Sequence, residues 1–240
     1  MEKEVFLAAR FEALGVVLSD RQIGQFIRYT QLLAEWNEKI NLTAITAFED
    51  VAVKHFADSC APVMFPDLAE KLENAAVADI GSGAGFPGIP LKILFPSMKL
   101  TMMDSLAKRI RFLEHVCGEL GLEAACVHGR AEDLAKETRF REAFDVAAAR
   151  AVAPMRILSE YCLPFVRKDG LFLAYKTAQP EEELAQAERA LKVLGGGEAQ
   201  VLRFVLPETD YGRSLILVSK QGKTPAKYPR KAGTAARNPL

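Results

Sequence analysis

The residues best able to do chemistry lie in one stretch, Ala76-Val-Ala-Asp79-Ile80-Gly81-Ser-Gly83-Ala-Gly85-Phe86-Pro87-Gly88. An apolar run ends in an acid, three glycines alternate, and a proline then opens a helix. Glycines without a Cβ let the backbone pass close beneath a bound molecule, and the amides of a following helix can hold an anion. Gly83-x-Gly85-x-x-Gly88 fits the dinucleotide fingerprint. Pro87 argues against that ligand, because it deletes an amide where a pyrophosphate would need one. Asp79 argues the same way: it would crowd a pyrophosphate, yet it suits a phosphate-free ligand that carries an ammonium group. A second acid, Asp104, ends the apolar run that begins at Lys99, 19 residues beyond Gly85. A carboxylate there can bridge ribose hydroxyls in either cofactor class. Arg150 closes a further apolar run, where an ion pair with Asp79 or Asp104 would satisfy it.

These residues must be positioned by alternating strands and helices. Residues 4–14 and 19–38 have helical periodicity, and Ser19 with Gln22 forms a capping box. Thr46-x-x-Glu49 is a second box, opening a helix with Phe48, Val51, Ala52, His55 and Phe56 on one face. His55 reads either as a core histidine or, with Asp58 and Ser59, as part of a substrate mouth. Ile89–Leu94 is a short helix stopped by Pro96, and the stripe Leu106, Ile110, Leu113, Cys117 and Leu120 is a longer one ended by Gly121. Ala124–His128, Phe144–Ala149 and Leu171–Tyr175 read as strands, and Met155–Val166 and Glu181–Leu194 as helices. Val201–Leu206 and Leu215–Ser219 are a closing strand pair. This alternation predicts an α/β fold with a mostly parallel sheet and one antiparallel strand. The organisation is a helical N-terminal cap (1–74), a core (75–220) and a basic tail (221–240).

Composition narrows the class. The chain has 240 residues, half of them apolar, and no run near the roughly 18 apolar residues of a membrane span. The N-terminus carries no secretory signal pattern. Cys60, Cys117, Cys126 and Cys162 lack C-x-x-C spacing and read as reduced thiols of a cytoplasmic protein, so no metal site is expected. Lys and Arg balance Asp and Glu at 31 each, but unevenly. Six bases (Lys220, Lys223, Lys227, Arg230, Lys231, Arg237) and no acid occupy the end of the chain. Such a segment is either a solvated, disordered end or a grip for a polyanion. Lys108, Arg109 and Arg111 are likewise a solvated helix face or a second grip.

The fuller pattern Asp79-x-Gly81-x-Gly83-x-Gly85 resembles the first motif of S-adenosylmethionine-dependent methyltransferases, whose cofactor carries no phosphate. Further segments extend the likeness over nearly the whole chain: Trp36-Asn-Glu-Lys-Ile-Asn-Leu-Thr43, His55-Phe-Ala-Asp58-Ser59, Asp104-Ser105-Leu-Ala-Lys108-Arg109, Arg130-Ala131-Glu132, Arg150-Ala-Val-Ala153 and Tyr228-Pro-Arg-Lys-Ala-Gly233. Together they resemble the bacterial small-subunit ribosomal RNA guanine-N7 methyltransferases, the family first called glucose-inhibited division protein B. Ala235 stands where that family's tail usually has proline.

The resemblance implies a Rossmann-like class I methyltransferase sheet and S-adenosylmethionine as cofactor. Asp79, Gly81, Gly83, Gly85 and Phe86 would cradle it, Asp104 and Ser105 would face its ribose, and Ala131 and Glu132 its adenine. Arg150 would sit beside the transferring centre. Lys108, Arg109, Lys227, Arg230 and Lys231 would contact 16S ribosomal RNA or the small subunit, with the protein acting as a cytoplasmic monomer. Guanine N7 is an aromatic lone pair without a proton, so no general base is required. Arg150-Ala-Val-Ala-Pro154 agrees: it lacks the Asn/Asp-Pro-Pro-aromatic motif of amino-group methyltransferases and a Pro-Cys nucleophile. A small-molecule methyltransferase shares the same core but has no use for a basic tail, and a nucleotide-dependent oxidoreductase must accommodate Pro87.

Overall fold

Strand periodicity in the centre of the chain sends alternate side chains to two apolar layers. Val77, Leu100, Met102, Val146, Ala148, Leu171 and Leu173 enter one cluster. Ala78, Ile80, Met103, Ala147, Ala149, Phe172 and Ala174 enter the other. A sheet buried on both faces by helices follows. The computed structural model describes residues 1–240. Its seven strands are β1 (Ala76–Ile80), β2 (Lys99–Asp104), β3 (Ala124–His128), β4 (Phe144–Arg150), β5 (Val166–Thr177), β6 (Gly196–Val205) and β7 (Gly212–Lys220). Their order is β3-β2-β1-β4-β5-β7-β6. All neighbours are parallel up to β5. β7 runs antiparallel to both β5 and β6, which makes it the one reversed strand.

The order reverses between β1 and β4, and ligands of such sheets bind outside the carboxyl ends of the strands at that switch point. Asp79 lies at the carboxyl end of β1, Asp104 ends β2 and Arg150 ends β4. The topology thus brings the three charged residues to one rim.

The N-terminal helices cover the face beside the first cluster. Helix Asp20–Ile40 opens on the Ser19–Gln22 capping box, with both halves formed. Phe11, Phe26, Tyr29 and Phe56 are fully buried, and Phe26 lies 4.9 Å from both Phe11 and Phe56, centroid to centroid. The cap therefore shares the core of the sheet. Residues 48–60 form one helical run with a π-helical stretch at Ala52–Ala57. The Thr46–Glu49 box does not form; the helix opens at Phe48 with Ala47 at its N-cap and no side-chain cap. Leu106 precedes its helix, which spans Ala107–Leu120, and is 41% exposed rather than on the buried stripe. The expected helix over 181–194 is two short ones, Glu181–Ala185 and Glu188–Val193.

The basic end docks on the body, although Lys223, Lys227, Lys231 and Arg237 remain exposed. Lys220 is 1% exposed, and its ammonium donates to the Leu163 carbonyl (2.7 Å) and the Thr224 hydroxyl (2.6 Å) and pairs with Glu142 (3.2 Å). Burial lowers the pKa of Lys220, and Glu142 opposes that shift. Arg141 donates to the carbonyls of Thr224 and Tyr228, and Tyr228 is buried. A four-residue helix, Thr234–Arg237, follows. The tail docks because acids and an arginine far upstream neutralise its charges and satisfy its backbone.

Candidate active site

The glycine turn is built from three directions. Gly88, first in its helix, donates its N–H to Asp79 Oδ2 (3.0 Å), and a Cβ at residue 88 would stand 2.6 Å from that oxygen. The amide that a pyrophosphate would seek is therefore already taken, which adds to the objection from Pro87. Tyr29, from the cap, donates its hydroxyl to the Ala84 carbonyl. Gly85 (φ +91°) lies directly under Tyr29 and Ile89, so its missing Cβ serves packing rather than ligand contact. Gly83 differs: at φ +57° a Cβ there would meet only the Gly81 carbonyl, at 3.8 Å. That face is the open side of the cradle. The Phe86 side chain is buried and turned to the cap, stacked on His55 at 4.5 Å.

Asp79 is wholly buried, and its Oδ1 has no partner. Burial pushes its carboxyl up to about 7, against the pull of the Gly88 amide. Asp104, 3% exposed, accepts from the Gly83 amide (2.9 Å) and Arg109 (3.3 Å) through Oδ2 and from the Leu106 amide (2.9 Å) through Oδ1. It thus ties the glycine turn to the next helix while keeping lone-pair capacity for hydroxyls. Ser105, Ala131 and Glu132 join Asp104 and Gly81 around a cavity of about 160 Å³ at the ends of β1 and β2. Asp104 and Glu132 around a partly apolar slot, with the open face of Gly83 and the orphaned acid Asp79 buried behind the turn, fit a cofactor with a ribose, an adenine and an ammonium group.

Arg150 points to the cap, and its partner is Asp58 rather than Asp79 or Asp104. Its NH1 donates to Asp58 Oδ2 (2.7 Å) and to the Lys54 carbonyl (3.0 Å); its NH2 meets His55 Nδ1 (3.1 Å). Its guanidinium also lies 4.9 Å from the centre of the Phe86 ring. All three polar partners come from the π-helical stretch or its next residue. A wide π turn is a frequent feature of functional sites, and here it aims a carbonyl, an imidazole and a carboxylate at one cation. Thr43 Oγ1 lies 2.9 Å from His55 Nε2. Since Nδ1 accepts from Arg150, the hydrogen is assigned to Nε2, donating to Thr43. Burial, then the charge of Arg150, hold His55 down at about 4, so it is neutral at physiological pH.

Arg150, His55 and Asp58 face a larger cleft of about 800 Å³, with Lys54, Lys176 and Arg213 around it. Arg213 is a second partner of Asp58, at 3.2 Å. Val152 lines both this cleft and the smaller cavity, so the two meet across its side chain. Ala151, just before it, holds φ +57°, a conformation that costs a non-glycine residue about 1–2 kcal/mol. Strain of that kind gathers at functional sites. Ser59, by contrast, is buried away from the cleft. Sequence reasoning passed over Tyr29, Lys54, Val152, Lys176 and Arg213. Only Tyr29 carried a signal, lying three residues after Phe26 on the same helical face.

The expected RNA contacts separate into two kinds. Lys108, Lys227 and Lys231 are exposed and make no ion pair. Arg109 folds back onto Asp104, and Arg230 forks onto Glu160, which is fully buried. Arg230 is thus a structural anchor of the tail rather than a free cation.

Similarity to known proteins agrees with this geometry. Solved structures that share the fold include a methyltransferase from Pyrococcus furiosus (TM-score 0.52, 14% identity, covering 82% of this chain and 98% of that one). Another is a mutant of MtNAS in complex with S-adenosylmethionine (TM-score 0.55, 16% identity, 83% and 74% covered). Among relatives, the ribosomal RNA small subunit methyltransferase G of Exiguobacterium sibiricum is 50% identical, with 100% of both chains covered. The protein of the same name from Lactococcus lactis is 48% identical, again over 100% of both. Residues 22–210 match the family described as rRNA small subunit methyltransferase G, and the chain belongs to that family.

Proposed function

We propose that this protein transfers the methyl group of S-adenosylmethionine to N7 of a guanine in 16S ribosomal RNA, without a general base. The observation that carries this reading is the pairing of the acid-lined cavity with a cation-rimmed cleft in which no side chain is poised to take a proton. His55 is neutral, but both of its ring nitrogens are engaged. Lys176 is bound to Glu183 and to the Ala153 carbonyl. Guanine N7 offers a lone pair and no proton, so such a site lacks nothing.

Bound S-adenosylmethionine would supply an electrophilic methyl group. Asp104 and Ser105 would hold its ribose, Ala131 and Glu132 its adenine, and Asp79 its ammonium, with Gly83 presenting open backbone beneath it. Arg150 already uses three of its five N–H donors on the cap. The remaining two can contact the guanine edge, and the Asp58 charge keeps the cation from repelling a sulfonium. The protein's contribution is placement of N7 in line with the methyl, an orientation effect that can supply several kcal/mol. Lys108, Lys227 and Lys231 would grip phosphates, and a recessed guanine would have to be splayed into the cleft, at a cost of a few kcal/mol.

In this reading residues 1–74 roof the site, 75–220 hold the cofactor and 221–240 close it, in a cytoplasmic monomer. No helix is long and apolar enough to cross a membrane. The test is transfer of labelled methyl to bare 16S RNA, to a partial particle and to the whole small subunit, followed by mapping of the base. Label at a guanine N7 in any of the three supports the reading. Absence of label from all three, in a protein that binds S-adenosylmethionine, overturns it in favour of a small-molecule acceptor.

A further inference from the structure

Glu132 connects two regions that lie 101 residues apart in sequence. Glu132 lines the small cavity, and its Oε1 accepts the N–H of Gly233 from the tail at 2.8 Å. Gly233 holds φ +79°, so the amide is presented by a left-handed turn that glycine adopts at no steric cost. The turn is itself fixed from behind. Arg230 donates Nε to Glu160 Oε1 (3.0 Å), NH2 to Glu160 Oε2 (2.6 Å) and its backbone N–H to Glu160 Oε1 (2.7 Å). Glu160 is fully buried, and removing one partner of such a buried pair is strongly destabilising. Its neighbour Tyr161, on the same helix, Met155–Cys162, lines the cavity as well. The clamp and the cavity wall therefore belong to one rigid element.

We propose that the segment from Arg230 to Gly233 is a strap that sets the cofactor site. Clamped by Glu160, it holds the Gly233 amide against Glu132 and leaves Glu132 Oε2 directed to the ligand. Cofactor binding and tail docking then stabilise each other, and by linkage each strengthens the other by the same factor. Arg230 is thus a positioning residue acting through Glu132. This inference rests on the reading that the small cavity takes the adenosine of S-adenosylmethionine.

The test uses the full chain with S-adenosylhomocysteine as probe, its affinity read by calorimetry. Tail docking is read by the rate of tryptic cleavage after Lys231, with cleavage after Lys39 as an internal reference. In the unmodified protein, saturating probe should slow cleavage after Lys231 more than after Lys39; equal rates with and without probe overturn the coupling without recourse to any variant. Arg230→Met should speed cleavage after Lys231 and weaken the probe about tenfold, the effect of about 1.4 kcal/mol, while Arg230→Lys recovers part of both. A loosened tail with probe affinity within twofold of the parent overturns the strap. Glu132→Ala separates the two readings. If it weakens the probe and Arg230→Met does not, only the strap fails. If it leaves the probe unaffected, the adenosine assignment fails and the strap with it.

Discussion

Asp79→Asn should make the protein more stable and less able to bind its cofactor. The wild-type carboxyl is fully buried and keeps one bonded oxygen and one orphaned one, and burial pushes it up to about 7 from the usual 3.8 of a free aspartate. Below about pH 4 the folded and unfolded chains are both protonated at this residue, and it carries no penalty. Between about 4 and 7 the unfolded chain releases the proton while the folded chain retains it. Stability must then fall as pH rises, by up to about 1.4 kcal/mol per unit. Above 7 both states are ionised and the full penalty, about 4 kcal/mol as an upper bound, remains.

Asparagine does not ionise, and its carbonyl can still accept from Gly88. Its amide nitrogen would replace the orphaned oxygen and remain without a partner, costing about 1–3 kcal/mol. The net expectation is a variant more stable by about 1–3 kcal/mol at pH 8 and less stable, or equal, at pH 4.5. Urea unfolding across that range checks it, because subtracting the two curves cancels every other titrating group. Parallel curves would refute the assignment of a strained, ionisable Asp79. Cofactor affinity should move the opposite way, falling tenfold or more when the ammonium loses its carboxylate, the usual exchange between stability and function.

Gly83→Val should abolish cofactor binding, since its side chain would fill the open cradle, and at φ +57° it should also cost about 1–2 kcal/mol of stability; unchanged affinity by calorimetry in the folded variant would show that the ligand does not approach Gly83. Asp104→Ala should weaken cofactor binding by about 1.5–3 kcal/mol and also lower the melting temperature, because the Gly83 and Leu106 amides lose their acceptor. A loss of affinity under about half a kcal/mol would leave Asp104 a purely structural tie. Lys227→Ala with Lys231→Ala, leaving Arg230 in its clamp, should weaken RNA binding at unchanged cofactor affinity. It should also flatten log K against log salt by about 0.7–0.9 per contact, and equal affinity with parallel slopes would move the RNA grip elsewhere.

The central sheet was legible because its signals are local. Strand periodicity, the glycine turn and the acids at the ends of β1 and β2 are read from neighbouring residues, and sheet order then follows from a known topology. The second half of the site was less legible, for a physical reason. Arg150 needs an anion, and the two nearest candidates by motif were Asp79 and Asp104. One oxygen of Asp79 is instead taken by the Gly88 amide and Asp104 is turned to the glycine turn. The anion that meets Arg150 comes from residue 58, 92 positions away, and reaches it because a π-helical stretch rotates Lys54, His55 and Asp58 onto one side. Nothing in the composition of residues 52–57 marks that widened turn.

The docking of the tail was not legible for the opposite reason: its own composition was informative but incomplete. A run of six bases with prolines and little apolar surface cannot fold alone, and in isolation it would be disordered. What decides its state is the set of partners offered by the body. Glu142 takes Lys220, Glu160 takes Arg230, Glu132 takes the Gly233 amide and Arg141 takes the Thr224 and Tyr228 carbonyls. Two of those acids, Glu132 and Glu160, lie within helices and Glu142 lies in a turn, where sequence alone would leave each on a solvated surface. An acidic body and a basic end therefore answer each other within the chain before either meets RNA. The lysines that remain free, Lys223, Lys227 and Lys231, sit on a surface whose position relative to the small cavity is fixed by the same contacts. A phosphate grip carried on a docked tail can hold RNA in register with the cleft, which a grip on a disordered tail could not.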